Sequence, residues 1–464
     1  MSDFRYRDKT YRSTILEMKT KRLMKRPFPI IFLLLLLSSI GFSQDQFKIG
    51  TGLGQERVRL AAADFKPVST DAQTANLNKV FNDTLWNDLS NAGIFDMVSK
   101  SFYPLQVPGN PAEIKADAWG NPPPNAGMLA FGNLDASQQD IAVQGWLVDV
   151  KNPASPPVLA KQYREKASED NARLIAHKFA DEIIMRLGGG INGIAETKLY
   201  FISNRTGNKE VWTMDYDGSN QHALTHLGSI SLSPRISPDN SRVAFTTFAK
   251  GGVDIGMYSL DLNRMVSFPH FGGTNSSPAW AADGSHIAFS SSRTGDPEIY
   301  IADADGKNLK RLTAFHGPDV SPTWNPKTGT QIAWVSGRTG LPQIYIMDTD
   351  GTNVQRVTDQ GYAVSPSWSP NGQFLAFSWI RHYGPGAPGN QDIYIMDIAS
   401  KQFVQLTHDS GRNDFPSWSP DGRHLVFQSD RAGRWQIFGM LADGSQVQQL
   451  TKAGENTQPN WSFK

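Results

Sequence analysis

Hydrophobic and polar positions in the second half of the chain repeat every 43 to 50 residues. Each unit opens with a Pro-x-Trp stretch, in which Ile236 replaces tryptophan in the first copy. This stretch leads through a Pro-Asp-Gly-type turn into an "IAFS"-like run. An "IYIMD"-like run and a short "RLT"-like run follow. Alternation with a period of two predicts β-strands, and the Asp-Gly turns are typical of hairpins. Each unit therefore predicts four short strands. The leading prolines are Pro234, Pro278, Pro322, Pro366, Pro416 and Pro459.

The repeat indicates a β-propeller, in which four-stranded blades stack because one blade cannot bury both of its faces alone. Residues 198–225 contain the last three runs of a unit and lack the Pro-x-Trp stretch. The C-terminal "TQPNWSFK" contains only that stretch. The two fragments together complete one blade. We therefore predict an all-β six-bladed propeller over residues 198–464, closed by the C-terminal strand.

A different pattern precedes the repeats. "VRLAAADF", "IFDMVS", "DIAVQGWLVDV" and "PVLAKQYREK" predict strands, and residues 119–127 read as a Pro/Gly/Asn-rich loop. Residues 75–91 place apolar side chains at helical spacing, and Ser168 is the predicted N-cap of a second helix that ends at three glycines. This pattern predicts an N-terminal α/β domain over residues 58–190, joined to the propeller by a short linker.

The N-terminus has the pattern of a secretory signal. Basic residues between Lys19 and Arg26 precede an apolar run over residues 27–40, and small residues follow it. The apolar core is shorter than the about 20 residues of a membrane-spanning helix, so an uncleaved anchor is the less favoured alternative.

These patterns define four segments. Residues 1–43 are predicted to be a signal peptide cut between Ser43 and Gln44, and residues 1–17 of it read as an over-called start. Residues 44–57 are predicted to form an extended mature N-terminal segment, ahead of the α/β domain and the propeller. We therefore expect an exported protein.

Composition excludes several classes of function. The formal net charge of +1 gives no bulk attraction for nucleic acid. The absence of cysteine excludes disulfides, a thiol nucleophile, Cys-ligated zinc and a lipoprotein anchor. No Gly-x-Ser-x-Gly or His-Glu-x-x-His occurs in the sequence, and no phosphate-binding glycine loop follows a predicted strand. We expect no catalytic residues and no cofactor.

Some repeated or clustered polar residues resemble sites but are better explained by architecture. His270, His316 and His408 follow the fourth strands and would face one rim, but their offsets within the repeat differ, so we predict no metal site. The recurring Asp-x-Asp-Gly pairs are predicted turn formers. Four recurring arginines are predicted to help pack the blades: Arg205, Arg293, Arg338 and Arg431.

Three segments add a family resemblance. They are "NDLSNAGIFDMV", "ARLIAHKFADEIIMRLGGGINGI" and "TKLYFISNRTGNKEVWTMDYDG". Together with the propeller repeat, they resemble the TolB family of the Tol–Pal system from about residue 46 to the C-terminus. The resemblance implies a non-enzymatic periplasmic protein that binds the lipoprotein Pal through the propeller and TolA through the mature N-terminus. It also implies support of outer-membrane integrity and of constriction during cell division.

Two candidate binding sites follow. The segments before each Pro-x-Trp strand vary between blades and should cluster at one channel mouth, as expected for a surface that recognises Pal. Their candidate residues are Asn275, Ser276, Ser277, Asp319, Val320, Tyr362, Asn413, Asp414, Phe415, Asn456 and Thr457. An extended segment can add as a strand to a partner's sheet edge. The candidate TolA-binding residues are Gln46, Phe47, Lys48, Ile49 and Gly50.

Further partners under this interpretation are other outer-membrane lipoproteins or porins, and we expect a monomer that does not bind nucleic acid. The alternative is a lyase- or glycosidase-like propeller enzyme that uses carboxylates or histidines in the channel. That alternative predicts a small-molecule pocket and turnover. A serine-peptidase propeller would need a hydrolase domain carrying the nucleophile, which we do not expect.

Overall fold

The structure, a computed structural model, describes residues 57–249, 251–387 and 389–463. One mixed sheet with helices comes first, and six four-stranded sheets follow. The predicted fold class is thereby confirmed, including closure by the C-terminal strand. The predicted signal peptide and nearly all of the 44–57 segment lie outside the described residues. Within the described part of the chain, no helix is both long and apolar enough to cross a membrane.

The first domain alternates strands and helices. Its elements in chain order are β1 (Val58–Ala62), β2 (Lys66–Pro67), α1 (Ala72–Asn91), β3 (Phe95–Met97), α2 (Ala116–Gly120), β4 (Met128–Asp135), β5 (Asp140–Asp149), β6 (Leu159–Lys166) and α3 (Glu169–Leu187), with 3₁₀ turns at Lys100–Phe102 and Pro111–Glu113.

The sheet of this domain has the order β3-β1-β4-β5-β6, with β1 parallel to both of its neighbours and the last three strands antiparallel. The helices α1 and α3 begin at side-chain caps, where Asp71 accepts from Thr74 N and Ser168 accepts from Asn171 N. They pack on the sheet around the fully buried Phe81 and Phe179. The cap at Ser168 was predicted, but the central strand β4 was not.

Each propeller blade has four strands in chain order. Blade 1 contains β10 (Ser231–Ile236), β11 (Arg242–Thr247), β12 (Asp254–Ser259) and β13 (Arg264–Val266). Blade 2 contains β14 (Asn275–Trp280), β15 (His286–Ser291), β16 (Glu298–Asp303) and β17 (Lys310–Arg311). Blade 3 contains β18 (Asp319–Trp324), β19 (Gln331–Ser336), β20 (Gln343–Asp348) and β21 (Gln355–Arg356).

The remaining blades follow the same order except the last. Blade 4 contains β22 (Tyr362–Trp368), β23 (Phe374–Ile380), β24 (Asp392–Asp397) and β25 (Phe403–Gln405). Blade 5 contains β26 (Asn413–Trp418), β27 (His424–Ser429), β28 (Gln436–Leu441) and β29 (Gln448–Gln449). Blade 6 combines the C-terminal β30 (Asn456–Trp461) with β7 (Lys198–Ser203), β8 (Glu210–Asp215) and β9 (His222–Ala223).

The first strands form the inner ring. Each one packs against the first strands of both neighbouring blades, and β30 packs against β10 to complete the circle. The pairing of β30 with β7 is antiparallel, and the main-chain N–H of Ser462 donates to Lys198 O at 2.9 Å. The six first strands therefore surround a central channel.

Every first strand contains a β-bulge immediately before its proline. The bulged residue has φ between 51° and 55° in all six blades, and the strand register shifts at the same point. In four blades its N–H donates to a side chain of the preceding blade: Ser233 N to Gln458 Oε1, Ser277 N to Thr246 Oγ1, Ser321 N to Ser290 Oγ, and Gln458 N to Gln428 Oε1. The bulges thus connect neighbouring blades.

The two faces of the propeller differ in their connections. The loop face carries two sets of loops. Those between second and third strands include the described residues 204–209, 248–249, 251–253, 292–297, 337–342, 381–387, 389–391 and 430–435, and those between blades are at 224–230, 267–274, 312–318, 357–361, 406–412 and 450–455. The turn face carries two sets of turns. Those between first and second strands are at residues 237–241, 281–285, 325–330, 369–373 and 419–423. Those between third and fourth strands are at residues 216–221, 260–263, 304–309, 349–354, 398–402 and 442–447.

Candidate functional site: two faces and a channel

Four of the predicted rim residues lie in the interior of the blades. Asn275, Asp319, Asn413 and Asn456 have fully buried side chains, so the expectation that they form an exposed surface is wrong. Each lies three positions before the strand's proline, where the side chain points between strands.

Hydrogen bonds account for this burial. Arg338 Nη2 donates to Asp319 Oδ2 at 3.0 Å, and Arg431 Nη2 donates to Asn413 Oδ1 at 2.8 Å. These side chains hold the adjacent loop rather than a partner.

The other seven candidates are partly buried around the bulges: Ser276, Ser277, Val320, Tyr362, Asp414, Phe415 and Thr457. The carboxylate of Asp414 accepts from Ser378 Oγ at 2.6 Å and from Phe415 N at 2.7 Å, and burial raises its pKa above the ordinary value. The ring of Tyr362 stacks on Tyr383 with centroids 5.6 Å apart. Tyr362 is therefore the candidate most clearly placed at the loop face.

Sequence reasoning missed several exposed apolar side chains on this face. Phe315 is 52% exposed and Tyr383 is 54% exposed. Phe315 lies in a segment before a Pro-x-Trp strand, and Tyr383 lies in "RHYGPGAPGN", the stretch at residues 381–390 that makes the fourth repeat longer than the others. Neither residue was among the predicted candidates. Further exposed apolar side chains of the loop face are Ile230, Phe248 and Leu341.

The repeated arginines stack on aromatic rings of their own blades. The guanidinium of Arg205 lies 3.9 Å from the ring centroid of Trp212, and Arg338 lies 4.8 Å from that of Tyr345. Arg293 over Tyr300 and Arg431 over Phe438 repeat the arrangement. The predicted packing role of the four arginines is therefore confirmed.

The three histidines considered for a metal site do lie in loop-face segments. His270 Nδ1 is 2.8 Å from Asp254 Oδ2, and His316 Nδ1 is 3.1 Å from Asp296 Oδ2. Each of these pairs stays within one blade or its adjoining loop. No group of three or more potential metal ligands occurs among the described residues.

The channel contains a cavity of about 340 Å³ that extends from the bulges to the turn face. Five tryptophans form much of its wall: Trp280, Trp324, Trp368, Trp418 and Trp461. Three of their indole N–H groups donate to a main-chain carbonyl of the preceding blade, as Trp280 does to Arg235 O at 3.1 Å. Arg235 is the one ionisable side chain among the described residues that line this cavity.

The α/β domain docks on the turn face of blades 5 and 6 through buried polar contacts. Asp88 on α1 accepts from His177 Nδ1 at 2.8 Å and from the hydroxyl of Tyr216, in the β8–β9 turn, at 2.6 Å. Burial alone would lower the pKa of His177, but the Asp88 carboxylate more than offsets this and raises it.

A second histidine contributes on blade 5. His424 Nε2 donates to Asn91 O at 2.7 Å, and Asp421 raises its pKa although burial opposes the shift. Arg423 Nη2 donates to Gly188 O at 2.9 Å at the end of α3.

The candidate TolA-binding residues Gln46, Phe47, Lys48, Ile49 and Gly50 lie outside the described residues. Their role stays a prediction.

Comparisons with known proteins agree with this architecture. The family model described as "TolB beta propeller domain" matches residues 186–384 and 360–464. The chain is 34% identical over 204 residues to a "Protein TolB homolog" of Chlorobium luteolum, which covers 42% of this chain and 43% of the relative. It is 28% identical over 232 residues to a "Tol-Pal system protein TolB" of Haemophilus influenzae, which covers 49% of this chain and 52% of the relative.

The chain therefore matches about half the length of these curated relatives. Among solved structures, TolB from Acinetobacter baumannii has a TM-score of 0.74 at 24% identity, covering 88% of this chain and 97% of that one. That likeness extends the agreement in fold to the α/β domain. The family model spans more than half of the chain, and the structure has six propeller blades. The chain therefore belongs to the TolB family.

Proposed function

We propose that this protein is a periplasmic, protein-binding scaffold of the Tol–Pal envelope system. In this proposal the loop face of the propeller binds the lipoprotein Pal, and residues 44–57 bind TolA. Such links would support outer-membrane integrity and constriction during cell division. Family membership and the Tol–Pal names of the matched relatives support the assignment to this system.

The exposed aromatic side chains of the loop face carry the Pal part of the proposal. Phe315 and Tyr383 project from a propeller face on which the α/β domain does not dock. Large aromatic side chains dominate the energetics of protein interfaces, so exposed ones on a face that the α/β domain leaves uncovered are candidates for a binding site. We place the centre of the Pal site at Phe315, Tyr362 and Tyr383.

The remaining predicted rim residues take secondary places in this proposal. Six of them are partly accessible and are placed by this proposal around the channel mouth: Ser276, Ser277, Val320, Asp414, Phe415 and Thr457. The four buried residues of the original set act indirectly by fixing the loops. Their substitution would change stability and binding together, so they make poor probes of binding.

For TolA, the support is the resemblance and the physics of an extended segment. A strand added to a partner's sheet edge gains main-chain hydrogen bonds without a preformed pocket. We retain residues 58–190 and 198–464 as the boundaries of the two folded domains, with α3 ending at Leu187 and β7 beginning at Lys198.

The propeller-enzyme alternative receives less support. Glycosidases and related enzymes need carboxylates or histidines placed for acid–base chemistry. The described lining of the channel cavity offers one arginine and neither of those groups. We expect no turnover and no cofactor.

The test of the Pal site uses paired substitutions on opposite faces. We expect Phe315→Ala with Tyr383→Ala to weaken binding of purified Pal by about tenfold or more, because central aromatic residues are typical hot spots. The matched control is Leu262→Ala with Val354→Ala, which removes exposed apolar side chains of the turn face that are 57% and 45% exposed. Isothermal titration calorimetry of correctly folded variants measures the difference. An equal loss in both pairs would refute the face assignment.

The TolA part is tested separately. Mature protein with and without residues 44–57 is titrated with purified TolA, and binding should require the segment. Retained TolA binding after its removal contradicts that part alone, since Pal binding is measured on the same two proteins.

A further inference from the structure

The inner ring contains one position where a charge breaks the repeat. The residue after each first-strand proline lines the channel cavity in all six blades. In five blades it is small or uncharged: Ala279, Thr323, Ser367, Ser417 and Asn460. In blade 1 it is Arg235. Repeated positions maintain a propeller, so a residue that departs from the repeat is where a specific site is expected.

The guanidinium of Arg235 lacks a counter-charge. Its described hydrogen bond is from Nη1 to the main-chain oxygen of the adjacent Pro234, at 2.8 Å, and it forms no ion pair with a described carboxylate. Burial is the one cause that lowers its pKa, to about 10, so the group remains charged at neutral pH. A guanidinium has five N–H donors, and an enclosed charge without a partner is costly.

Two further donors face the same space. Blade 4 lies opposite blade 1 in a ring of six, which places Ser367 across the channel from Arg235. The hydroxyls of Ser367 and of Thr323, on the next blade, line the cavity, and both side chains are partly accessible. The rest of the wall is mixed. Tryptophan, proline, phenylalanine, Ile236 and alanine form its apolar part, and Asn460 and four further serines add polar groups.

We propose that the channel cavity is a binding site for a small monocarboxylate with an apolar or aromatic body, held by Arg235. This site goes beyond the proposed scaffold function and does not depend on it. A carboxylate matches the planar fork of a guanidinium, and the aromatic wall accommodates an apolar body. A cavity of about 340 Å³ has the size of a small-molecule site. A phosphate, with more charge than one arginine can balance, suits these walls less.

Benzoate is the test ligand, because it combines one carboxylate with an aromatic ring. We expect the mature protein to bind it one to one with an approximately millimolar or tighter Kd in calorimetry. Arg235→Gln should weaken binding by about ten- to hundredfold, as expected for loss of a charged hydrogen-bond partner. Benzamide, which has the same shape without the charge, should bind at least about tenfold more weakly than benzoate.

The matched control is Arg242→Gln. Arg242 lies on the same blade with its guanidinium 5.4 Å from the ring centroid of Trp280, but it does not line the cavity. Its substitution should leave benzoate affinity within about twofold of the wild type. Thermal unfolding confirms that both variants are folded.

Four outcomes would overturn the proposal. They are no saturable benzoate binding to the wild type, an equal loss in the two arginine variants, equal binding of benzamide, and displacement of benzoate by an equal concentration of inorganic phosphate. The first three remove the anion site, and the last contradicts the ligand class.

Discussion

At the residue scale, the side chain three positions before each first-strand proline is buried, although four of these side chains were predicted to form an exposed surface. The sequence varies there from Ser231 through Asn275 and Asp319 to Ala363. Variation beside constant flanks suggested a recognition surface. The structure shows that this position is satisfied differently from blade to blade. Asp319 and Asn413 accept from an arginine, whereas Asn275 donates to Asp254 Oδ1 at 3.1 Å and Asn456 donates to Gln436 Oε1 at 2.9 Å.

The pair of Asp319 and Arg338 gives a stability prediction. Asp319→Ala should lower the free energy of unfolding by about 2–4 kcal/mol, because it leaves a largely buried guanidinium without its carboxylate. Asp319→Asn should cost about 1 kcal/mol or less, since Asn413 accepts from Arg431 in the equivalent place. Urea denaturation distinguishes the two variants. Similar losses for alanine and asparagine would show that the hydrogen bond contributes little.

At the element scale, the sequence predicted strands well where repetition reinforced the pattern and poorly where it did not. Five units of Pro-x-Trp and "IYIMD"-like runs made the blades recognisable, and two fragments identified the closing strand. The strand β4 occurs once, contains Gly132 and Asn133, and follows a Pro-rich loop, so its alternation was weak. The bulges were not predictable, because serine, phenylalanine and glutamine carry no signal for a positive φ.

The closing strand β30 gives a prediction about thermal stability. Deleting residues 456–464 should lower Tm by about 10 °C or more, because it uncovers β7 and removes the buried Trp461 from the ring. Deleting only residues 463–464 leaves β30 in place and should have a small effect. Differential scanning calorimetry compares the two truncations. A synthetic peptide of residues 456–464 should restore part of the loss. Unchanged Tm after the longer deletion would contradict closure by β30.

At the scale of the whole molecule, the two propeller faces differ in what packs against them. The turn face binds the α/β domain through Asp88, His177, Tyr216 and His424, all of them buried. The loop face is left with exposed aromatic side chains. The sequence could predict both domains but not this contact, because its members are far apart along the chain. Asp88, His177 and Tyr216 each lie in one of the three segments that carry the family resemblance, but nothing in those segments indicates that they meet.

The two interface histidines predict a pH dependence. Both have a folded-state pKa above the ordinary value, so their stabilisation is complete below about pH 6.5 and is lost as the pH rises through the folded-state pKa. Wild-type Tm should therefore fall by a few degrees between pH 6.5 and 9. The double variant His177→Gln, His424→Gln should have a lower Tm that varies less over the same range. Parallel curves for the two proteins would rule out this role.

The place of β30 in blade 6 also imposes an order in time. The contact between Lys198 and Ser462 spans 264 positions along the chain, whereas each of the other blades closes within its own stretch of sequence. Contacts of such long range form late, after the loop entropy of the intervening chain has been reduced by local folding. Blades 1 to 5 can thus assemble before blade 6 is complete. At that stage blade 6 consists of β7, β8 and β9, and the edge of β7 is unpaired. We expect a newly made chain at that stage to be prone to aggregation through the open edge.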